Sequence, residues 1–197
     1  MNDKGPIYLK QLLPLFLLLP SFLFASFSAT ILDSKTLLPI KYAKIIDKKV
    51  DIAIEKFKQE VLGAENFLPK VKGYLVFPSV IKAGLIVGGK YGEGALRVNN
   101  ATQHYYEMAA ASIGLQIGAQ EYSMLIAFLS DASLKNFVNS NGWEAGVDGS
   151  ITVSDWGKSK DISSMSFEKP IIAFIYGEKG LMASVSITGT KFRRIAP

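Results

Sequence analysis

A chain of 197 residues with 49% hydrophobic content is long enough for one domain with a substantial core and short for two. Its net charge of +5 comes from scattered lysines, with Arg193–Arg194 the only adjacent arginines, which argues against nucleic acid as a partner. The absence of cysteine excludes disulfides, thiol nucleophiles, thiolate metal sites and a lipid-modified cysteine.

Residues 1–28 are typical of a secretory signal peptide. Lys4 and Lys10 give a positive start, Leu12–Phe24 is an apolar core, and small residues precede a cleavage point after Ser28. The alternative is an uncleaved anchor, because Leu12–Leu32 is nearly long enough to span a bilayer. We therefore predict an exported protein of the periplasm or cell envelope, with membrane association as an option.

Residues 29–40 contain Pro39 and little pattern, which predicts a loose lead-in segment before a single domain over 41–197. Lys41–Leu62 then shows helical periodicity, and Gly63 is placed to end the helix. One apolar stripe predicts the buried side: Ile46, Val50, Ala53, Phe57 and Val61. The other side carries lysines mixed with Asp47, Asp51, Glu55 and Glu60, which indicates a solvated face rather than a membrane-surface helix.

The middle of the chain is β-rich. We predict strands near 72–78, 84–90, 93–98, 104–110, 112–120 and 122–129, and Ser112–Ala119 alternates as a half-buried strand does. Asn99-Asn100 is turn chemistry and predicts a hairpin between the strands that carry Arg97 and Tyr105–Tyr106. Glu121-Tyr122 is a candidate second tight connection.

The last third adds a helix and further strands. Asp131–Val138 is predicted as a short helix capped by Ser130 or Asp131, and Ala145–Val153 as a strand. Asp155–Lys169 is predicted as an exposed loop, and Gly177–Gly180 as the turn between strands Ile171–Tyr176 and Leu181–Ile187. The pattern predicts an α+β domain: a strongly curved antiparallel sheet or partly closed barrel, with one long N-terminal helix and a short inserted helix.

Glycines crowd one stretch of this predicted sheet: Gly84, Gly88, Gly89, Gly92 and Gly94. Each glycine weakens a strand by roughly 0.5–1 kcal/mol relative to alanine. Four of them share one parity and would bare one side of a strand, as would Gly114 and Gly118 further on. The pattern predicts either close packing of a neighbouring element or a ligand groove.

Four motifs resemble the SYLF family, a lipid-binding and actin-associated domain. They are FPSVIKAGLIVGGKYGEGAL (Phe77–Leu96), SIGLQIGAQ (Ser112–Gln120), AGVDGS (Ala145–Ser150) and YGEKGLMASVSITG (Tyr176–Gly189). Together they cover about residues 70–190. The resemblance implies a non-enzymatic lipid-binding domain without a cofactor. Gly177 and Glu178 stand where the family often has serine and arginine, and Ser184 replaces a family glycine.

The sequence contains few candidate catalytic residues. His104 is the sole histidine, so a Ser-His-Asp triad or a two-imidazole zinc site cannot be built within one chain. Glu93 lies between two glycines, where it either pairs with a lysine or caps a turn, or helps to hold a cation or polar headgroup. We expect no enzyme, no metal and no cofactor. The candidate carboxylates are Glu93, Glu107, Glu121, Asp148 and Asp155.

Basic residues bracket the glycine-rich stretch and the last motif, and each near an anionic membrane contributes about 1 kcal/mol. If they converge they predict reversible contact with anionic phospholipid; if scattered they only aid solubility. Actin is an improbable partner for an exported protein. The alternative is a scaffolding protein that binds another envelope protein or the cell wall, through surfaces around Tyr105–Tyr106, Trp143 or Trp156. The candidate lipid-binding residues are Lys72, Lys82, Lys90, Arg97, Lys179, Lys191, Arg193 and Arg194.

Overall fold

The computed structural model describes residues 20–85, 87–113, 118–154, 160–165, 168–180 and 186–197. The chain divides into two units, residues 1–41 and 42–197. In the first unit, the described residues 20–41 are helical. Among the described residues, no helix combines the length and the apolar character that a bilayer span requires.

Helix α1 spans Pro20–Glu60 and therefore begins well before the predicted start at residue 41. The segment 29–40, predicted as a loose lead-in, is part of this helix and includes Pro39. A proline inside a helix costs about 3 kcal/mol but does not forbid the helix when its neighbours are helix formers, as Leu37 and Leu38 are.

Eight strands form one sheet in the order β5-β8-β3-β2-β1-β4-β7-β6, and the curled sheet makes a half-barrel. All pairs are antiparallel except β6–β7. The predicted α+β class with a strongly curved sheet is confirmed. The strands are β1 Gly73–Gly84, β2 Val87–Val98, β3 Ala101–Ile113, β4 Gly118–Phe128, β5 Trp143–Glu144, β6 Thr152–Ser154, β7 Ile171–Gly180 and β8 Lys191–Ile195; the shorter helices are α2 Ala64–Phe67 and α3 Asp131–Asn139.

Two local predictions are confirmed. Asn99 and Asn100 have φ values of 51° and 62° and form the two-residue turn between β2 and β3. Both central residues of such a turn need positive φ, which asparagine tolerates well. Ser130 caps α3 by accepting a hydrogen bond from the Ser133 backbone N–H at 3.2 Å.

Several predicted strand boundaries were wrong. The predicted run 84–90 begins at the end of β1, and its residues 87–90 belong with the run 93–98 to one strand, β2. The run 112–120 spans the end of β3 and the start of β4, with 114–117 outside the described residues. Glu121-Tyr122 is therefore not a connection, because it lies inside β4. Ala145–Val153 is not one strand: a tight turn at 146–148 separates β5 from β6.

The predicted hairpin turn Gly177–Gly180 is instead the end of β7. Gly177 has φ +63° at a shift in register against β4, the geometry of a β-bulge with glycine in the left-handed region. Its N–H donates to Glu60 Oε2 at 2.9 Å, which ties the bulge to the end of α1. The strand predicted at Leu181–Ile187 lies largely outside the described residues.

The predicted exposed loop 155–169 is described in part, and one of its residues is buried. Ile162 is fully buried, and its N–H donates to the Leu62 carbonyl at 2.9 Å. Asp161 caps this short turn through the Ser163 N–H at 2.8 Å.

Helix α1 packs on one face of the sheet, here called the α1 face, through the predicted stripe, whose five members are all buried. The Phe57 ring packs against the rings of Phe174 and Tyr176 in tilted and edge-to-face arrangements, with centroids 5.5 and 5.2 Å apart. The Tyr176 hydroxyl donates to the Ala53 carbonyl at 3.0 Å. The opposite face, here called the α3 face, carries a second core cluster that includes Phe137 of α3.

Part of the predicted solvated side of α1 also meets the sheet. Arg97 on β2 is 8% exposed, and its guanidinium lies 2.7 Å from Asp51 Oδ1 and 3.3 Å from Asp47 Oδ1. Thr102 and Tyr105 donate to the two Asp47 oxygens at 2.7 and 2.8 Å. A buried charge is costly unless it is paired. Asp47 and Asp51 therefore turn toward the sheet, where they pair with the buried Arg97 guanidinium.

The glycine-rich stretch lets β1 approach β2 closely. The register of β1 shifts between Val76 and Ser79 around Pro78, a bulge where a strand tolerates proline. A Cβ on Gly94 would lie 2.0 Å from the Val76 carbonyl oxygen, and one on Gly92 would lie 3.0 Å from the Ser79 carbonyl oxygen. The missing side chains at these positions are therefore accounted for by the neighbouring backbone.

Gly94→Ala is predicted to lower the free energy of unfolding by about 1–3 kcal/mol or more, because the added methyl group clashes with backbone that cannot rotate away. The matched control is Gly89→Ala on the same strand, where the nearest atom to the added Cβ is the Ala110 carbonyl oxygen at 3.5 Å. Gly89→Ala should change stability by no more than about 1 kcal/mol. Urea denaturation measures both, and equal losses would contradict the close-approach explanation.

Candidate functional site

The central strands carry exposed side chains toward one end, and one row of paired residues crosses six of the strands. Directly paired neighbours run Lys191, Ala109, Tyr91, Ile81, Glu121 and Lys179, from β8 through β3, β2, β1 and β4 to β7. Cross-strand partners point to the same side of a sheet. Because Tyr91 alternates in phase with Arg97, which meets α1, this row lies on the α1 face.

This end of the α1 face exposes large apolar side chains. Ile81, Val87 and Tyr91 are 58%, 68% and 47% exposed, and Leu85 in the adjoining β1–β2 connection is 60% exposed. The next row, Ala111, Gly89, Ala83 and Ala119, is also exposed. We call the set the apolar strand-end face: Ile81, Ala83, Val87, Gly89, Tyr91, Ala109, Ala111 and Ala119.

The face is unusual for an exposed sheet surface. Adjoining apolar residues on four neighbouring strands make a continuous patch, and patches of this kind mark interaction sites. These residues lie on strands that pair with one another in the sheet, so the surface offers mainly side-chain contact.

Charged residues sit at both ends of the crossing row. Lys179 on β7 and Lys191 on β8 flank the apolar residues, and both are exposed. Lys191 Nζ lies 3.5 Å from Glu144 Oε2. Glu121, between Ile81 and Lys179, accepts a hydrogen bond from Ser79 Oγ at 2.7 Å.

Glu93 lies two residues from Tyr91 and has a structural role different from the one predicted. It accepts hydrogen bonds from two tyrosine hydroxyls, Tyr42 of α1 and Tyr91 at 2.7 Å, rather than from a lysine. The bond to Glu93 is the main cause that raises the pKa of Tyr42, whereas burial followed by this bond raises the pKa of Tyr91. Glu93 thus fastens α1 to the sheet at the edge of the apolar strand-end face.

The neighbouring carboxylate, Glu107, also has a partner. Glu107 is paired directly across from Glu93 and lies 2.5 Å from the Arg193 guanidinium. In the part of the chain that the structure describes, no group of three histidine, aspartate or glutamate residues is arranged to hold a metal ion.

Lys82 and Lys90 lie at the same strand ends but on the α3 face, where they are directly paired. Lys90 Nζ donates to the Ser186 carbonyl at 2.5 Å. Burial, followed by the neighbouring charge of Lys82, lowers the pKa of Lys90 to about 8. Since these two lysines point away from the apolar strand-end face, they do not form one surface with Lys179 and Lys191.

The other basic candidates are dispersed. Lys72 lies 3.3 Å from Asp131 Oδ2 near α3, and Arg97 is buried under α1. Arg193 is held by Glu107, and Arg194 donates to the Val138 carbonyl at 2.7 Å. The structure therefore places Lys179 and Lys191 at the two opposite ends of one row on the α1 face, and pairs Lys82 directly with Lys90 on the α3 face.

The remaining candidates have mainly local roles. Gly118 pairs with Gly84 at the start of β4, Gly84 pairs with Gly88, and Gly114 lies outside the described residues. Trp143 is buried in the core, and Asp148 accepts a hydrogen bond from the Glu144 N–H at 2.7 Å. Asp155 and Trp156 lie outside the described residues.

Sequence reasoning missed the apolar strand-end face itself. Its signal was present as alternation, since Ile81, Ala83 and Leu85 are followed by Val87, Gly89 and Tyr91 at every second position. Such alternation normally predicts a buried face. Only the folded structure shows that these residues are exposed.

Comparison with family models identifies one match, to the family described as "Ysc84: Las17-binding protein actin regulator", over residues 109–195. Comparison with curated proteins finds no match. The matched range runs from β3 to β8 and contains three of the four motifs. This family is one of binding domains, associated with lipid and actin-related binding. Residues 109–195 are thus similar to this family, which agrees with the SYLF resemblance of the sequence motifs.

Proposed function

We propose that this protein is a non-enzymatic membrane-binding domain of the cell envelope, which docks on anionic phospholipid through the apolar strand-end face. The observation that carries the proposal is the crossing row, in which exposed apolar residues on three central strands are flanked by Lys179 and Lys191. Apolar contact with the acyl region and basic contact with headgroups are the two attractions that hold peripheral proteins on membranes.

The energies fit reversible binding. Full burial of a valine, leucine or isoleucine side chain is worth roughly 1.5–3 kcal/mol, and partial entry into the headgroup boundary gives a fraction of that for each. Each lysine near an anionic surface adds about 1 kcal/mol. Ile81, Leu85, Val87 and Tyr91, together with the two lysines, therefore supply several kcal/mol, and salt weakens the electrostatic part.

The lipid proposal is preferred to an actin-related one because of the predicted leader. The family description names an actin regulator, but an exported protein does not meet actin. The lysines at both ends of the row favour an anionic membrane over a neutral protein surface. The scaffolding alternative, with an envelope protein on the same face, is separated by the experiment below.

The chain lacks cysteine, so one introduced thiol can carry a fluorescent probe of polarity. In the full chain, a probe at Val87→Cys should shift to the blue with vesicles of phosphatidylglycerol and phosphatidylcholine, and lipids with spin-labelled acyl chains should quench it. The physical reason is that this position enters the apolar boundary. Raising the salt to 1 M, where the Debye length is about 3 Å, should weaken the effect.

The matched control is Val147→Cys, because Val147 is 75% exposed but lies in the turn between β5 and β6. Its probe should stay in water even when the chain is bound through another segment. A Val87 probe that remains in water on protein recovered with vesicles would contradict the proposal. Burial of that probe by an envelope protein fraction alone would favour the scaffolding alternative.

Charge reversal tests the flanking lysines. The double variant K179E/K191E should weaken binding to the anionic vesicles at least roughly tenfold at low salt, as the loss of two cation contacts requires. The control K49E/K135E has the same net charge, since Lys49 and Lys135 are exposed on α1 and α3. Vesicle titration of the Val87 probe measures both, and equal effects would show that only net charge matters.

A further inference from the structure

A second region with the chemistry of a binding site lies away from the apolar strand-end face. It is a cleft of about 490 Å³ between the end of α3 and the sheet, bounded by Asn139, Ser140 and Asn141 and by His104, Arg193 and Arg194. This volume is within the range of small-molecule pockets. The residues that line it include Arg194 and the sole histidine of the chain, and none is acidic. The Arg193 side chain points to the α1 face instead, where it pairs with Glu107.

Arg194 is fixed in place by its own contact. One of its terminal nitrogens donates to the Val138 carbonyl at 2.7 Å. A guanidinium has five N–H donors in a rigid fork, so this contact uses only part of its capacity. A held guanidinium group loses little entropy when it binds a further acceptor.

Arg194 also removes an obstacle to anion binding. The C-terminal end of a helix carries a partial negative charge on its last carbonyl groups. The Val138 carbonyl is one of these groups in α3, and the Arg194 guanidinium caps it. Ser140 accepts a hydrogen bond from the Gly142 N–H at 3.2 Å, which leaves its hydroxyl hydrogen able to donate.

His104 reports the electrostatic character of the cleft. Partial burial and then the charge of Arg194 lower the pKa of His104 below its ordinary value. A neutral imidazole still donates one hydrogen bond. An anion bound between His104 and Arg194 would reverse the shift, since it favours the charged imidazolium.

We infer that this cleft binds a phosphate-bearing anion, with Arg194 as the charged contact and His104 and Ser140 as further donors. Guanidinium forks match the paired oxygens of phosphate, which favours phosphate over a single carboxylate. The group comes either from a soluble phosphomonoester or from a lipid headgroup. The inference does not rest on the apolar strand-end face, because the cleft is built from other residues.

The sole histidine makes the test direct. Nuclear magnetic resonance of the full chain with isotope-labelled histidine gives one imidazole to follow during titration with glycerol 3-phosphate. Saturable shifts of the His104 signals, with a rise in its pKa on the order of one unit, are expected. Sodium chloride at equal ionic strength should not produce them. If neither glycerol 3-phosphate nor vesicles that contain phosphatidic acid shift the His104 signals more than sodium chloride does, the inference is overturned.

Variants assign the contact. Arg194→Gln should weaken the titration at least tenfold, whereas Lys135→Gln, an exposed residue of α3, should leave it unchanged. If Arg194→Gln disturbs the fold, Arg194→Lys keeps the charge but loses the fork and should still weaken binding severalfold. Equal titration of the wild type and the folded Arg194 variants would overturn the inference.

A second titration distinguishes the two sources of phosphate. Vesicles containing phosphatidic acid that shift the His104 signals when glycerol 3-phosphate does not would assign the cleft to a headgroup; the reverse result would assign it to a soluble ligand. The K179E/K191E variant should retain the glycerol 3-phosphate response. The experiments therefore distinguish a failure of phosphate binding in the cleft from a failure of membrane docking through the apolar strand-end face.

Discussion

The close approach of β1 to β2 is the constraint on which the rest of the structure depends. The β1 backbone bulges around Pro78, and the Val76 carbonyl occupies the space where any side chain at position 94 would begin. A bulge bends its strand and increases the local twist, and the sheet curls into a half-barrel. Helix α1 packs on one face of this sheet through Phe57 and its neighbours, with Arg97 and Glu93 fastening its polar side.

As a result, different regions of the sheet have different roles: one is core and others are exposed. Where α1 residues 46–57 pack on it, the α1 face is core. Toward the strand ends, Ile81, Val87 and Tyr91 are exposed in a region that two lysines flank. At the other side of the sheet, the end of α3 and Arg194 of β8 form a polar cleft. Both regions are suited to binding, in agreement with a family of binding domains.

The sequence predicted those features whose signal is local. The helical stripe of α1, the Asn99-Asn100 turn and the Ser130 cap are set by short-range periodicity and backbone preference, and the structure contains each. Glycine can indicate more than one backbone feature. The residues Gly177–Gly180 are typical of a turn, but the positive φ of Gly177 belongs to a bulge within β7. The alternation at Ser112–Ala119 crosses from β3 to β4, so pattern alone could not locate the connection. The register between neighbouring strands could not be predicted from the sequence. Only this register places Lys179 and Lys191 in one row and directs Lys82 and Lys90 to the other face of the sheet.

The account depends most on the apolar strand-end face being open to solvent in the isolated protein. Methyl resonances of the full chain in the presence of a soluble paramagnetic agent measure this directly. The account predicts that the methyl groups of Ile81 and Val87 broaden as strongly as those of Ile52, which is 61% exposed on α1, while those of the buried Val80 do not. Protection of Ile81 and Val87 to the level of Val80 would show that the face is already covered, and would contradict the account.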